Sequence, residues 1–107
     1  MNIKVFDSES AFGYKQITTF FQDFSIADAF GTHAIRDTYN RVFNEWKSDY
    51  KYLTELVMVL NWKIWQHHEE GNKEYARLYQ KLWETADAYA CENLQGDELD
   101  YFYRTTD

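Results

Sequence analysis

The chain has no proline, only four glycines and a single cysteine. Without proline nothing forces a helix to kink or stop, so long helices are open to it. One thiol, Cys91, makes no internal disulfide and supplies too few thiolates for a structural zinc site, a cysteine usage that fits a reducing compartment. No apolar run approaches the roughly 20 residues of a membrane span. Met1 to Asp7 has neither the basic start nor the apolar stretch of a secretory leader. These absences predict a cytoplasmic protein with no membrane partner. The glycine-rich phosphate loop, the nucleophile elbow and the zinc-finger spacing are missing too, so no motif for covalent or phosphate chemistry stands out.

What the chain does have is aromatics. Eight Phe, nine Tyr and four Trp make up 20% of its 107 residues. Large rings raise the apolar area buried per residue, which excludes disorder and predicts one folded domain over residues 1–107.

Acidic groups outnumber basic ones, 18 to 11, for a net charge of −7. Residues 84–107 hold most of the excess, with Arg104 facing seven acids that include Glu84, Asp87, Glu92, Asp97, Glu98 and Asp100. Such a field disfavours direct nucleic-acid binding, which needs clustered basic charge, and favours a basic partner surface. The plainer reading of the same six carboxylates is a solvated face that keeps an aromatic-rich protein soluble.

Hydrophobic spacing predicts an all-α fold: a small antiparallel bundle of three principal helices with short flanking ones. Ile3 to Phe6 reads as an extended arm, within residues 1–8, because a lone strand has no partner. Phe12, Ile17, Phe20, Phe21 and Phe24 predict a helix over about 10–23. Ser25-Ile-Ala-Asp28 has the form of a capping box opening a short helix that Gly31 closes. From Tyr39 through Phe43, Trp46, Tyr50, Leu53, Val57, Leu60 and Ile64 to His67, apolar positions alternate in steps of four and three. Either one helix spans 33–69 or two meet near Lys47-Ser48-Asp49, where Ser or Asp can cap; the break is preferred because so long a helix is unusual. Gly71 ends this segment and Asn72 can cap the next. There Tyr75, Leu78, Tyr79, Leu82, Ala86, Tyr89 and Ala90 share one face, with Glu84, Asp87 and Glu92 opposite. Gly96 closes that helix, and Asp97 with Asp100 resembles another capping box before a packed C-terminal turn. Leu53, Val57, Leu60, Ile64, Leu78 and Leu82 are the expected core.

The run Leu56 to Trp65 is apolar nearly all round. At 100° per residue Met58, Trp62 and Trp65 fall opposite the main seam. Either the N-terminal aromatic helix covers this second face, or it is a contact for a protein partner or for a second copy in a homodimer.

Other groupings carry less. His67-His68-Glu69-Glu70 resembles a metal cluster, but adjacent histidines on a helix point apart, and position 67 continues the apolar seam, so His67 is expected as a packed histidine at the bundle end. His33 reads as an exposed helix-start residue. Glu69, Glu70 and Glu74 followed by Glu84-Thr-Ala-Asp87 partly resemble the all-helical nucleoside triphosphate pyrophosphohydrolases, which hold magnesium with Glu-x-x-Glu and Glu-x-x-Asp on successive helices. Only the second half matches, and Glu84 and Asp87 are expected to face water. Cys91 beside Glu92 is a poor nucleophile, since a neighbouring carboxylate disfavours the thiolate. No metal, cofactor or catalytic residue is assigned.

The segments DYKYLTELVMVLNWKIWQHHEE (49–70), ADAYACENL (86–94) and DELDYFYRTTD (97–107) resemble a family of small proteins from mobile elements of gut bacteria, such as phage or conjugative transposons. The resemblance implies an accessory factor that acts by binding. The expected function is therefore a non-enzymatic protein-interaction module. The alternatives are an acidic decoy of a nucleic-acid-binding surface and a magnesium-dependent nucleotide hydrolase.

Overall fold

A computed structural model describes residues 11–106, with side chains from Thr19 onward, and the described residues form five helices and no strand. They are α1 (Ala11–Asp28), α2 (Thr32–Trp46), α3 (Tyr50–Glu69), α4 (Lys73–Asn93) and α5 (Asp97–Thr106). The expected arm over residues 1–8 and the side chains of Phe12 and Ile17 lie outside this description. No described helix is long and apolar enough to cross a membrane.

The first helix departs from its expected bounds. Ser25 and Asp28 do not open a second helix: α1 runs through both. The Ser25 hydroxyl accepts instead from Lys63 Nζ at 3.2 Å, so its oxygen is taken by a residue far along the chain and caps nothing. With 18, 15, 20 and 21 residues, α1 to α4 are all substantial, where the sequence suggests three principal helices; α5, with 10, is the short one.

The seam does break at Lys47-Ser48-Asp49. Asp49 leaves helical geometry, with φ −106° and ψ 107°, and its Oδ1 accepts from the Lys51 and Tyr52 amides at 3.0 and 3.4 Å. An N-cap of this kind contributes about 1 kcal/mol. At the other end of α3 the Asn72 amide donates to the His67 carbonyl at 2.8 Å and the Gly71 amide to that of His68 at 3.2 Å. This paired closure needs a left-handed residue between the helices, and Gly71, at φ 77°, is it. Asn72 occupies the next N-cap position but makes no side-chain cap; its amide lies 3.5 Å from His67 Nδ1. Asp97 likewise sits within the first turn of α5, alongside Glu98 and Asp100, where carboxylates complement the helix dipole.

α3 is the central helix and packs on each of the other four. Every residue from Tyr52 to Val57 is buried, Thr54 and Glu55 included. Within the apolar run Leu56 to Trp65, by contrast, the side chains of Met58, Trp62 and Ile64 are half-buried and Trp65 is exposed, so that run is covered on one side fully and on the other in part. Leu53, Val57, Leu60 and Leu78 are core residues, while Ile64 and Leu82 are half-buried at its edge. Edge-to-face ring pairs join the helices: Phe20 with Trp46, Phe24 with Tyr79, Phe43 with Tyr89. Each such pair is worth about 0.5–1.5 kcal/mol beyond the area it buries.

Candidate functional site

Two places gather side chains that the chemistry of folding alone does not require. The first lies where the C-terminal end of α1 meets α3 and α4. Asp28 is the last residue of α1, so its carboxylate stands at the negative end of that helix dipole and needs a cation. Lys63, with a side chain fully buried, supplies one: its Nζ is 2.7 Å from Asp28 Oδ2. The same ammonium donates to Gln66 Oε1 at 2.8 Å and to Ser25 Oγ at 3.2 Å, which occupies all three of its protons. It also lies 4.8 Å above the Phe21 ring.

Asp28 is just as fully used. His67 Nε2 approaches Oδ2 at 2.9 Å and the Tyr79 hydroxyl donates to Oδ1 at 2.6 Å, while the Tyr75 hydroxyl donates to the Asp28 backbone carbonyl at 3.2 Å. The His67 ring stacks on Tyr79, 5.4 Å away and 11° from parallel. Burial, together with the hydrogen bond to Asp28, pushes the Tyr79 phenol far above its ordinary value of 10.0, so this hydroxyl keeps its proton. A shallow depression of about 450 Å³, lined by Ser25, Gln66, His67, Glu70 and Tyr75 among others, lies over the cluster. With the protons of Lys63 and both oxygens of Asp28 already engaged by protein, the arrangement acts as a clamp between three helices. His67 is packed at the end of the bundle, as its place in the seam suggests. Neither Lys63 nor Tyr79 stands out in the sequence as a partner of Asp28, although a lysine inside LVMVLNWKIW is an anomaly that asks for a counter-charge.

The second place is the face of α3 that carries Met58, Trp62 and Trp65. The three do not behave alike. Met58 is half-buried and packs against the core, and Trp62, also half-buried, meets the edge of Phe21 from α1 with centroids 6.3 Å apart. α1 therefore covers part of this face, and Trp65 is the one left outward, at 58% exposed. It forms a ridge between two grooves. On the α1 side a groove of about 330 Å³ is lined by Phe21, Trp62, Trp65, Gln66 and Glu69. On the α4 side a larger one, about 510 Å³, is lined by Ile64, Trp65, His68, Lys73, Ala76, Arg77 and Gln80. The His68 ring leans on Trp65 with centroids 6.0 Å apart. His67 and His68 thus point to different places, one into the clamp and one to the surface.

The acidic quarter is mostly solvated. Glu84, Glu92, Asp97, Glu98 and Asp100 are exposed, whereas Asp87, expected to face water, is half-buried and burial raises its carboxyl. Exposed Cys91 has its Sγ 3.7 Å from the Tyr103 hydroxyl. His33 is exposed at the start of α2. Among the described residues no three His, Cys, Asp or Glu converge as a metal site.

One further buried acid escapes the sequence patterns altogether. Glu55, on the part of α3 that α5 covers, is only 2% exposed and its Oε1 meets no hydrogen-bond partner among the described residues. Burial, reinforced by Asp49 and opposed by Lys51, pushes its carboxyl from 4.5 up to about 8.

Comparison with protein-family models, with curated proteins and with solved structures finds no match to this chain.

Proposed function

We propose that the protein is a non-enzymatic interaction module that binds another protein across the Trp65 ridge. The observation that carries this reading is the exposure of Trp65 between two grooves, while the other three tryptophans are half-buried. A tryptophan standing out of a small protein beside open apolar slots is the usual anchor of a contact, because it combines large area with a hydrogen-bonding edge. Trp62 lines one of the two grooves beside it, and Met58 on the same face packs against the core. In this reading the protein works in the cytoplasm as an accessory factor of a mobile element, and the clamp is architecture that holds the ridge in place.

The test compares wild type with Trp65→Ser, each checked for unchanged helicity. Partners captured from the native host are identified, and sedimentation gives the solution mass of both proteins. A defined partner, or a dimer, that is lost in Trp65→Ser supports the module. If every captured protein and the sedimentation coefficient are the same for the two, the ridge is not a contact and the reading falls.

A further inference from the structure

The α3–α4 groove differs in charge from the molecule that bears it. Its floor is apolar, from Ile64 and Ala76, and Trp65 forms one wall, but its rim is Lys73, Arg77 and His68, and among the described residues no carboxylate lines it. In a chain of net charge −7 this is the exception. Lys73, Arg77 and Lys81 recur every four residues along α4, so they stand in one stripe. A neighbouring depression shares Arg77 and adds Lys81 and Arg36 of α2, with Glu74 the one acid among its described lining residues. None of Arg36, Lys73, Arg77 or Lys81 forms an ion pair with a described residue.

An apolar slot beneath a cationic edge that forms no ion pair with a described residue fits a chain that brings an apolar side chain and carboxylates together. We infer that the α3–α4 groove takes an acidic segment of a partner protein, with one large apolar side chain seated between Trp65 and Ala76 and flanking carboxylates on Arg77 and Lys73. This rests on the interaction-module reading and names the chemistry of its partner. A nucleic acid fits less well. Its phosphates need a long basic track, whereas the stripe ends at Lys81 and the next exposed charge on α4 is Glu84, with Glu92, Asp97, Glu98 and Asp100 beyond it. A peptide with a few carboxylates at one site meets only the favourable part of that field.

The experiment measures fluorescence polarisation of labelled dodecapeptides on the full chain. The probe carries Leu-Phe between runs of Glu and Asp; one control has those acids replaced by Gln and Asn, another has Leu-Phe replaced by Ser-Ser, and a third is a dodecathymidylate. The acidic, apolar peptide is expected to bind saturably and more weakly as salt rises, with each peptide control at least about tenfold weaker, the Gln/Asn one through loss of charge-assisted contacts and the Ser-Ser one through loss of buried apolar area. Arg77→Glu should weaken the probe by a similar factor and strengthen a Lys-flanked version of the same peptide. Equal binding of the neutral peptide, tighter binding of the oligonucleotide, indifference to Arg77→Glu, or no saturation by about 1 mM overturns the inference. Its failure is distinguishable from failure of the module. A host partner that depends on Trp65 but not on Arg77 leaves the module standing without its acidic specificity, and one that depends on neither removes both.

Discussion

Lys63 and Glu55 lie two turns apart on α3, both almost inaccessible to solvent, and the protein treats them in opposite ways. Lys63 has a carboxylate at 2.7 Å, two further acceptors and an aromatic face, so its ammonium is fully partnered inside the bundle. Among the described residues Glu55 has no cation in contact and one oxygen without a partner, and burial raises its carboxyl so that it holds its proton instead. A buried charge is tolerable when its counter-charge and hydrogen bonds are complete, and otherwise the group neutralises itself. The contrast teaches that α1, α3 and α4 meet at a buried polar cluster whose partners are complete, whereas the acid buried two turns earlier on α3 is accommodated by staying neutral.

The largest expected effect comes from breaking the complete site. Asp28→Ala leaves Lys63 buried without its anion and takes an acceptor from both His67 and Tyr79, which should cost about 3–5 kcal/mol. Lys63→Met, which leaves Asp28 bonded to His67 and Tyr79, should cost clearly less. Urea midpoints decide: equal losses from the two variants would mean that the clamp is not organised around Asp28.

The incomplete site gives the next effect, through pH. The folded Glu55 carboxyl keeps its proton up to about 8, whereas in the unfolded chain it ionises near 4.5, so the folded state holds the extra proton between those values. Its contribution to stability is therefore full below 4.5 and is lost as pH rises towards 8. Glu55→Gln should flatten that slope and raise stability at pH 8 by on the order of 2 kcal/mol, the amide still burying polar atoms. Denaturation midpoints for both proteins across this range measure it, and parallel curves would show that Glu55 ionises freely.

The smallest effect sharpens the contrast from outside. Trp65→Ala should change stability by no more than about 0.5 kcal/mol, as for an exposed position. Leu60→Ala, on the buried side of the same helix, should cost about 2–5 kcal/mol. A large loss from Trp65→Ala would identify the ridge as part of the core.

How much of this is legible in the sequence depends on how local its cause is. The break before α3 is legible because Asp49 caps with its own side chain and the seam around it is periodic. The end of α1 is not: Ser25-Ile-Ala-Asp28 reads as a capping box, yet both polar side chains are claimed from α3 and α4, by Lys63 and by His67 and Tyr79. The candidate face is half legible. Helical spacing groups Trp62 with Trp65, and only the position of Phe21 on α1 makes one supporting and the other outward. The basic rim goes unseen for a further reason. Lys73 and Arg77 are diluted by the net charge of the whole chain, and they become a rim only once α4 turns back beside Trp65.

The span of the clamp along the chain has a kinetic consequence. Asp28 is 39 residues from His67 and 51 from Tyr79, while α3 and α4 are joined by a tight turn at Gly71. Closing loops of that length costs entropy, whereas α3 and α4 close through a short turn, so the α3–α4 hairpin is expected to form before α1, itself packed on α2, docks through Asp28. In amide hydrogen exchange the turn of α1 that carries Asp28 is then expected to open before the α3–α4 hairpin, a latch whose release precedes global unfolding, and equal protection of the two would refute that order.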